Sequence, residues 1–334
     1  MKAALVMGNR QVSIVETPSP QIQKDTQIKI RVIKGAVCNT TDNKVYATDT
    51  PEKDWPYLSF PFIIGHECTG YIIEKGAAVT DLEIGDKVVY WTVDGLAFAD
   101  DLVIDTAQAV VGKICAGVDD NLCAIMEMVI GSTRLLFGEE GQPLIKPGDR
   151  VAVLGLGPAG LIYVKTAQLM GAGSVIAYGR RNIRLNAARQ LGATATVDAS
   201  SPNAIAETLA ALGGPADVII DATGGDVVKE ILALSRPGTL CMTYGIPPFN
   251  WQDRLRELTN AGLLHFKDNR ISAQCALEHC IRWAESGRLD LRPIISHVLP
   301  LSEVGRALDM CREERDSTLK VVIDINPDYK PQKS

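Results

Sequence analysis

Hydrophobic and polar positions change their period along this chain, and each period predicts a different kind of element. Over the first hundred residues apolar positions come in short runs between turns. Ile28, Ile30 and Val32 alternate with Lys29, Arg31 and Ile33, and GYIIEKG and GDKVVYW are further short β segments. This predicts an all-β, barrel-like region. Near Asp119 the texture changes: DDNLCAIMEMVIGSTRLLF reads as helix, with Leu122, Ile125, Met126 and Ile130 on one face, and is placed as a bridge between two domains. From Arg150 to about Asn269 strands at Ala195 to Val197, Val218 to Asp221, Leu240 to Tyr244 and Leu263 to Phe266 alternate with helical or glycine-rich segments. Such alternation builds a parallel sheet with helices on both faces. The tail carries an amphipathic helix from Ser272 through Trp283 and a strand, Lys320 to Asp324, that is expected to return to the first domain. The expected domains are 1–130 with 273–334, and 131–272.

The sharpest local pattern is VAVLGLGPAGLIYVKTAQLMGAGSVIAYGRR, residues 151–181. A short apolar strand runs into Gly155, Gly157 and Gly160 at G-x-G-x-x-G spacing, with Pro158 and Ala159 inside the turn. Leu161 to Met170 reads as helix and Ser174 to Tyr178 as a second strand. Gly155 permits a tight turn, Gly157 lets a pyrophosphate approach the backbone, and Gly160 lets helix and strand pack closely. The helix N-terminus offers free N–H groups to phosphates. Where an NAD-binding chain carries a carboxylate for the ribose 2′-OH, about twenty residues on, this chain has Gly179, Arg180 and Arg181. Guanidinium groups there suit the 2′-phosphate of NADP, which bears a charge of roughly −1.5 to −2. The plainer reading is two arginines on a solvated loop.

Composition narrows the partners. With 334 residues and 46 % hydrophobic content the chain has material for two domains. A net charge of −6 and a pI near 5.4 argue against a nucleic-acid or anionic-membrane surface. No run of about eighteen apolar residues and no cleavage-site pattern occurs, so a soluble, cytoplasmic protein is expected. Eight cysteines, at 38, 68, 115, 123, 241, 275, 280 and 311, form no C-x-x-C pair and fit reduced thiols.

Upstream lie VCNTTD (37–42) and GHECTG (65–70), and with GDKVV (85–89), the GLGPAG turn, DVIIDATGG (217–225) and ISHVLPLSEVGRALD (295–309) they follow in one order. In these motifs, spread over nearly its whole length, the chain resembles the medium-chain dehydrogenase/reductase family of zinc-dependent alcohol and polyol dehydrogenases. The resemblance implies an α/β protein, with a GroES-like β-rich catalytic domain and a Rossmann, doubly wound parallel-sheet cofactor domain, and a substrate site between them. It makes Cys38 and His66 ligands of one catalytic zinc, a set of thiolate and imidazole that suits the metal. Glu127, in AIMEM, stands where polyol dehydrogenases carry a glutamate ligand, and Glu67 is the alternative or exchanging ligand. Thr40 matches the hydroxyl that bonds the substrate oxygen and passes its proton outward.

Taken singly, each of these residues also has an ordinary reading: a small buried Cys, a hydrogen-bonded core His, a solvated helix Glu, a strand-end Thr bonded to local backbone. Two departures from the family matter. Many relatives read C-x-[ST]-D-x-H, whereas here Thr41 stands at the aspartate position and Asn43 at that of the relay histidine, with Asp42 displaced by one. Asn43 cannot titrate, so Thr41 or Asp42 must support the site, and proton exit needs another route. Only WTVDGLA separates GDKVVY from FADDLVI, so the four-cysteine lobe of a structural zinc is missing. Cys275, His279 and Cys280 read as helix packing. Trp91, Trp55 and Tyr57 are candidates for a substrate pocket or for plain packing.

The expected activity is hydride transfer between NADP(H) and a secondary alcohol or ketone, with polyols and sugar derivatives among the candidate substrates, in a homodimer or homotetramer. The competing readings are a zinc-free enoyl or quinone reductase of the same superfamily, and a non-catalytic NADPH-binding protein.

Overall fold

A computed structural model describes residues 1–50, 59–92, 96–244, 258–260, 262–263 and 270–331. The chain divides into two compact units, Met1–Ile130 with Leu277–Ser286 and Ile295–Ser334, and Gly131–Ala276 with Gly287–Ile294.

The first unit is β-rich. Strands are numbered in chain order: β1 (Lys2–Gly8), β2 (Gln11–Glu16), β3 (Gln27–Ala36), β4 (Phe62–Ile63), β5 (Glu67–Lys75), β6 (Lys87–Trp91), β7 (Asp101–Asp105) and β8 (Val110–Lys113). Late in the chain β14 (Ile295–Pro300) and β15 (Lys320–Asp324) complete the larger sheet, of order β14-β15-β3-β5-β6-β8, with β7 also on β3; a smaller sheet has the order β2-β1-β4. The predicted alternation in β3 sends Ile28, Ile30 and Val32 into one core with Cys68, Ile72, Val88 and Leu102. Ile33, counted with the polar face in the sequence pattern, is buried as well. Gly70 allows β5 to lie close on β3, since a Cβ there would strike the carbonyl of Arg31. A second core joins Val37, Tyr46 and Phe98 to Leu308, Cys311 and Val321.

The stretch read as one bridging helix is three pieces, α2 (Asp120–Ala124), α3 (Met126–Thr133) and a 3-10 turn, Arg134–Leu136. Ile125 caps α2, and every residue from Leu122 to Thr133 is buried. With no polar side, the periodicity could mark a face but not a break.

The second unit carries a five-stranded parallel sheet of β9 (Arg150–Leu154), β10 (Ser174–Gly179), β11 (Ala195–Asp198), β12 (Val218–Asp221) and β13 (Leu240–Thr243), in the order β11-β10-β9-β12-β13. Between them run α4 (Pro158–Leu169), α5 (Asn182–Gln190), α6 (Ala204–Leu212) and α7 (Val228–Leu234). Strand order reverses at β9, so the crevice of this sheet opens where β9 runs into the glycine turn. The expected strand Leu263–Phe266 falls largely outside the described residues. The amphipathic helix expected over 272–283 is α8 (Arg270–Glu285), followed in the first unit by α9 (Val304–Glu313). Among the described residues no helix is long and apolar enough to cross a membrane.

Candidate functional site

Register builds the site in the first unit. Ala36, the last residue of β3, lies opposite Glu67, the first of β5, and Val322 of β15 lies opposite Ala36 on the other side. Residues just past Ala36, just before Glu67 and just before Val322 therefore meet at one end of the sheet. They are Cys38, His66 and Lys320. A seven-residue helix, α1 (Thr41–Ala47), starts three residues after Cys38 and brings Asp42 to the same end.

The ligand-type atoms of Cys38, His66 and Glu67 lie within 4.8 Å of one another, the group with metal-holding potential among the described residues. Asp42 ties two of them together. Its Oδ2 accepts the Cys38 N–H at 2.8 Å, and its Oδ1 is 3.3 Å from His66 Nδ1. A proton on Nδ1 leaves Nε2 with its lone pair for a metal. Thr41 instead gives its backbone N–H to the Cys38 sulfur at 3.4 Å. The supporting carboxylate is thus the displaced Asp42.

Glu67 is fully buried. Its Oε1 accepts from Lys320 Nζ at 2.6 Å, while its Oε2 has no hydrogen-bond partner. Lys320 is itself wholly buried, and also donates to the Val37 carbonyl at 2.7 Å. A buried carboxylate oxygen beside a thiol and an imidazole, with nothing to bond, is what a dication would satisfy. The residues fit zinc.

Burial and neighbouring charges act on the cluster in opposite directions. Burial pushes the Cys38 thiol up, but the neighbouring His66 outweighs it and holds the thiol below its ordinary value. Burial opposes charge on His66, yet Asp42 and Cys38 raise it well above the ordinary imidazole. Burial lifts Glu67 against the pull of Lys320, and Lys320, despite its burial, is held charged by Glu67.

Glu127, near the start of α3, is buried and not a solvated helix charge. Burial pushes its carboxyl up to about 8, against the charge of His66 and with that of Glu67 and Cys38. It stands in the field of the cluster without joining the group within 4.8 Å. Thr40 is exposed and precedes α1, with no capping bond from its side chain.

In the second unit Gly155 adopts φ +89°, and a Cβ there would crowd Thr223 and Ala222. A Cβ on Gly160 would collide with the Gly155 carbonyl, whereas beside Gly157 nothing lies within 4 Å. Gly157 caps α4 with no side chain on its N–H groups, and Pro158 opens the helix ahead of Ala159. The turn is a cradle suited to a pyrophosphate. Gly179 ends β10 buried, and an added Cβ would lie 2.6 Å from Leu156, so a carboxylate does not fit there. Arg180 is exposed, and Arg181, at φ +70°, caps α5. Asp198, opposite Gly179 on β11, is occupied by Ser200.

Lys320 escaped the sequence reading, which saw only the start of a strand, because its partner is 253 residues away. Tyr90, whose hydroxyl meets Cys68 Sγ and the His66 carbonyl, both at 3.1 Å, was missed for the same reason. Trp91 ends β6 partly buried, and Trp55 and Tyr57 lie outside the described residues. The His279 ring meets Trp283 edge-on and Cys280 is buried.

Residues 24–131 match the model of the alcohol dehydrogenase GroES-like domain, and residues 158–277 that of the zinc-binding dehydrogenase. The sorbitol dehydrogenase of Bombyx mori is 27 % identical over 361 aligned positions, covering 97 % of this chain and 98 % of its own. An alcohol dehydrogenase of Cupriavidus necator is 26 % identical over 97 % and 98 % of the two chains. The alcohol dehydrogenase TADH from Thermus sp. ATN1 has the same fold at a TM-score of 0.79, with 23 % identity over 97 % of this chain and 99 % of that one. With both domain models in order and relatives matched end to end, the chain belongs to the zinc-dependent alcohol and polyol dehydrogenases of the medium-chain dehydrogenase/reductase family.

Proposed function

We propose that this member of the family is an NADP(H)-dependent dehydrogenase of secondary alcohols, among them polyols or sugar derivatives, working with one catalytic zinc per chain. We further take 1–130 with 273–334 as the catalytic domain and 131–272 as the cofactor domain, in a cytoplasmic homodimer or homotetramer. The observation that carries the reading is the group of Cys38, His66 and the buried Glu67, whose Oε2 has no hydrogen-bond partner. It weighs against the zinc-free reductase reading.

Cys38, His66 and Glu67 would hold the metal through thiolate, imidazole and carboxylate, with Glu127 in reserve. When bound, zinc supplies a Lewis acid that brings an alcohol hydroxyl toward neutral pKa. Asp42 fixes the His66 tautomer, and Lys320 engages one oxygen of Glu67 while the other has no hydrogen-bond partner. Thr40 offers a hydroxyl to the substrate oxygen. The backbone of Gly157, Ala159 and Gly160 would bind the pyrophosphate, and Arg180 and Arg181 would take the 2′-phosphate. A nicotinamide bound in the second unit would supply the hydride acceptor for alcohol oxidation, and the proton of the alcohol would leave to solvent.

The cofactor claim is tested by replacing Arg180 and Arg181 with Ala. A charge-assisted hydrogen bond contributes about 1.5–3 kcal/mol, so the dissociation constant for NADPH should rise roughly 10–100-fold. That for NADH should hardly move. Equal weakening of both, measured by fluorescence titration, would overturn the assignment.

A further inference from the structure

Five buried side-chain atoms without a hydrogen-bond partner belong to four residues next to the Cys38 cluster: Asn39 Oδ1, both Oδ1 and Nδ2 of Asn43, Arg312 Nε and Thr318 Oγ1. Hydrogen bonds place them in two pairs. Asn39 Nδ2 donates to the carbonyl of Leu319, the neighbour of Thr318, at 2.9 Å, and Arg312 Nη1 reaches the carbonyl of Asn43 at 3.4 Å. The groups thus line the seam where the start of α1 faces the end of α9 and the turn into β15. Asn43 is 4 % exposed and Thr318 2 %, so bulk water does not serve them.

A buried polar group left dry forfeits its hydrogen bonds with water, and folded chains rarely tolerate several together. The set mixes acceptors (two amide oxygens), donors (the Asn43 amide and the Arg312 Nε–H) and a hydroxyl that does either. An anion would face the two amide oxygens and nearby Asp42; a cation would face Arg312. Water answers both kinds of group at once, and needs about two to four such partners to stay.

We propose that Asn39, Asn43, Arg312 and Thr318 hold a buried chain of water between α1 and the α9–β15 turn, and that this chain carries the proton exchanged at the Cys38–His66 cluster. Its conducting role rests on the dehydrogenase reading. Asn43 cannot titrate, but its amide can hold one water as donor and another as acceptor. Each hop then breaks an O–H bond on one water as one forms on the next, so the chain is unchanged after a proton has passed. Asn39 adjoins Cys38 and Asn43 adjoins Asp42, so the inner end lies along the backbone that carries the cluster. Arg312 is partly exposed and marks the outer end. Asn43 is on this account a positioning residue.

A crystal structure of the full chain at a resolution that shows ordered solvent tests the occupant. Water within hydrogen-bond distance of Asn43 Nδ2 and Oδ1 is expected; an ion in that place, or an amide turned onto protein partners, would overturn the proposal. Kinetics test the role, with Asn43→Leu against Asn43→Ser, and Thr318→Val as the milder variant should Asn43→Leu fail to fold. Asn43→Leu should lower kcat about tenfold with KM little changed and enlarge the solvent deuterium isotope effect, and Asn43→Ser should recover most of the rate. Unchanged kcat and isotope effect in a variant that has lost the water would sink the conducting role. Zinc-loaded wild-type chain that turns over no secondary alcohol would instead sink the dehydrogenase reading and the conducting role with it, leaving the hydration site to the crystallographic result.

Discussion

The carboxylate of Asp42 serves two ligand candidates at once, holding the Cys38 backbone with one oxygen and the His66 ring with the other. Groups that orient a metal's ligands typically matter by 10–100-fold in affinity. Asp42→Ala should therefore weaken zinc about 10–100-fold in competition with a chelator while the fold, followed by circular dichroism, survives. An unchanged affinity would show that His66 is oriented by something else. At this scale much of the site was legible. Cys38, His66 and Glu67 stand out because GHE and an upstream Cys recur at family spacing, and the displaced acid was visible as one of two alternatives. Lys320 was not legible, since no local pattern marks a lysine at a strand start as the buried partner of a glutamate in another strand.

At the N-terminal ends of the parallel strands one carboxylate ties β12 to the approaches of β9 and β13. Asp217, just before β12, accepts from Arg150 Nε at 3.0 Å and Nη2 at 3.1 Å at the start of β9, and from Arg236 at 2.8 Å ahead of β13. Chiefly through Arg150, Asp217 is held well below the ordinary carboxylate value of 3.8. A lowered acid stabilises the fold above its unfolded value and loses that contribution as pH falls through 3.8 toward the folded one. Because the pair is partly open to solvent, Asp217→Asn should cost only about 1 kcal/mol at pH 6, with the gap to wild type closing below about pH 3.8 in urea melts. A gap that stayed constant down to pH 2 would contradict the assignment. The glycine turn is less forgiving: Gly160→Ala drives a methyl into the Gly155 carbonyl, and dinucleotide binding should fall more than tenfold. Binding unchanged in that variant would show that the turn can shift aside. Strand and helix alternation was legible here because the period changes between 2 and 3.6. The break at Ile125 was not, because a segment buried all round carries no polar side to interrupt.

Two units of different texture follow from one sequence, the first built on antiparallel β pairs closed by strands from the chain's far end, the second on parallel βα repeats. The return of β15 to β3 matters most for function, since it delivers Lys320 to the end of the sheet that bears Cys38 and His66. A cluster assembled from three distant stretches, with its own carboxylate and ammonium buried beside it, is costly to keep without an ion to complete it. The zinc content of the purified full chain, measured by plasma mass spectrometry beside Cys38→Ser, tests this most directly. About one zinc per wild-type chain and little in the variant is the predicted result; a wild-type chain free of zinc, or equal zinc in both, would contradict it.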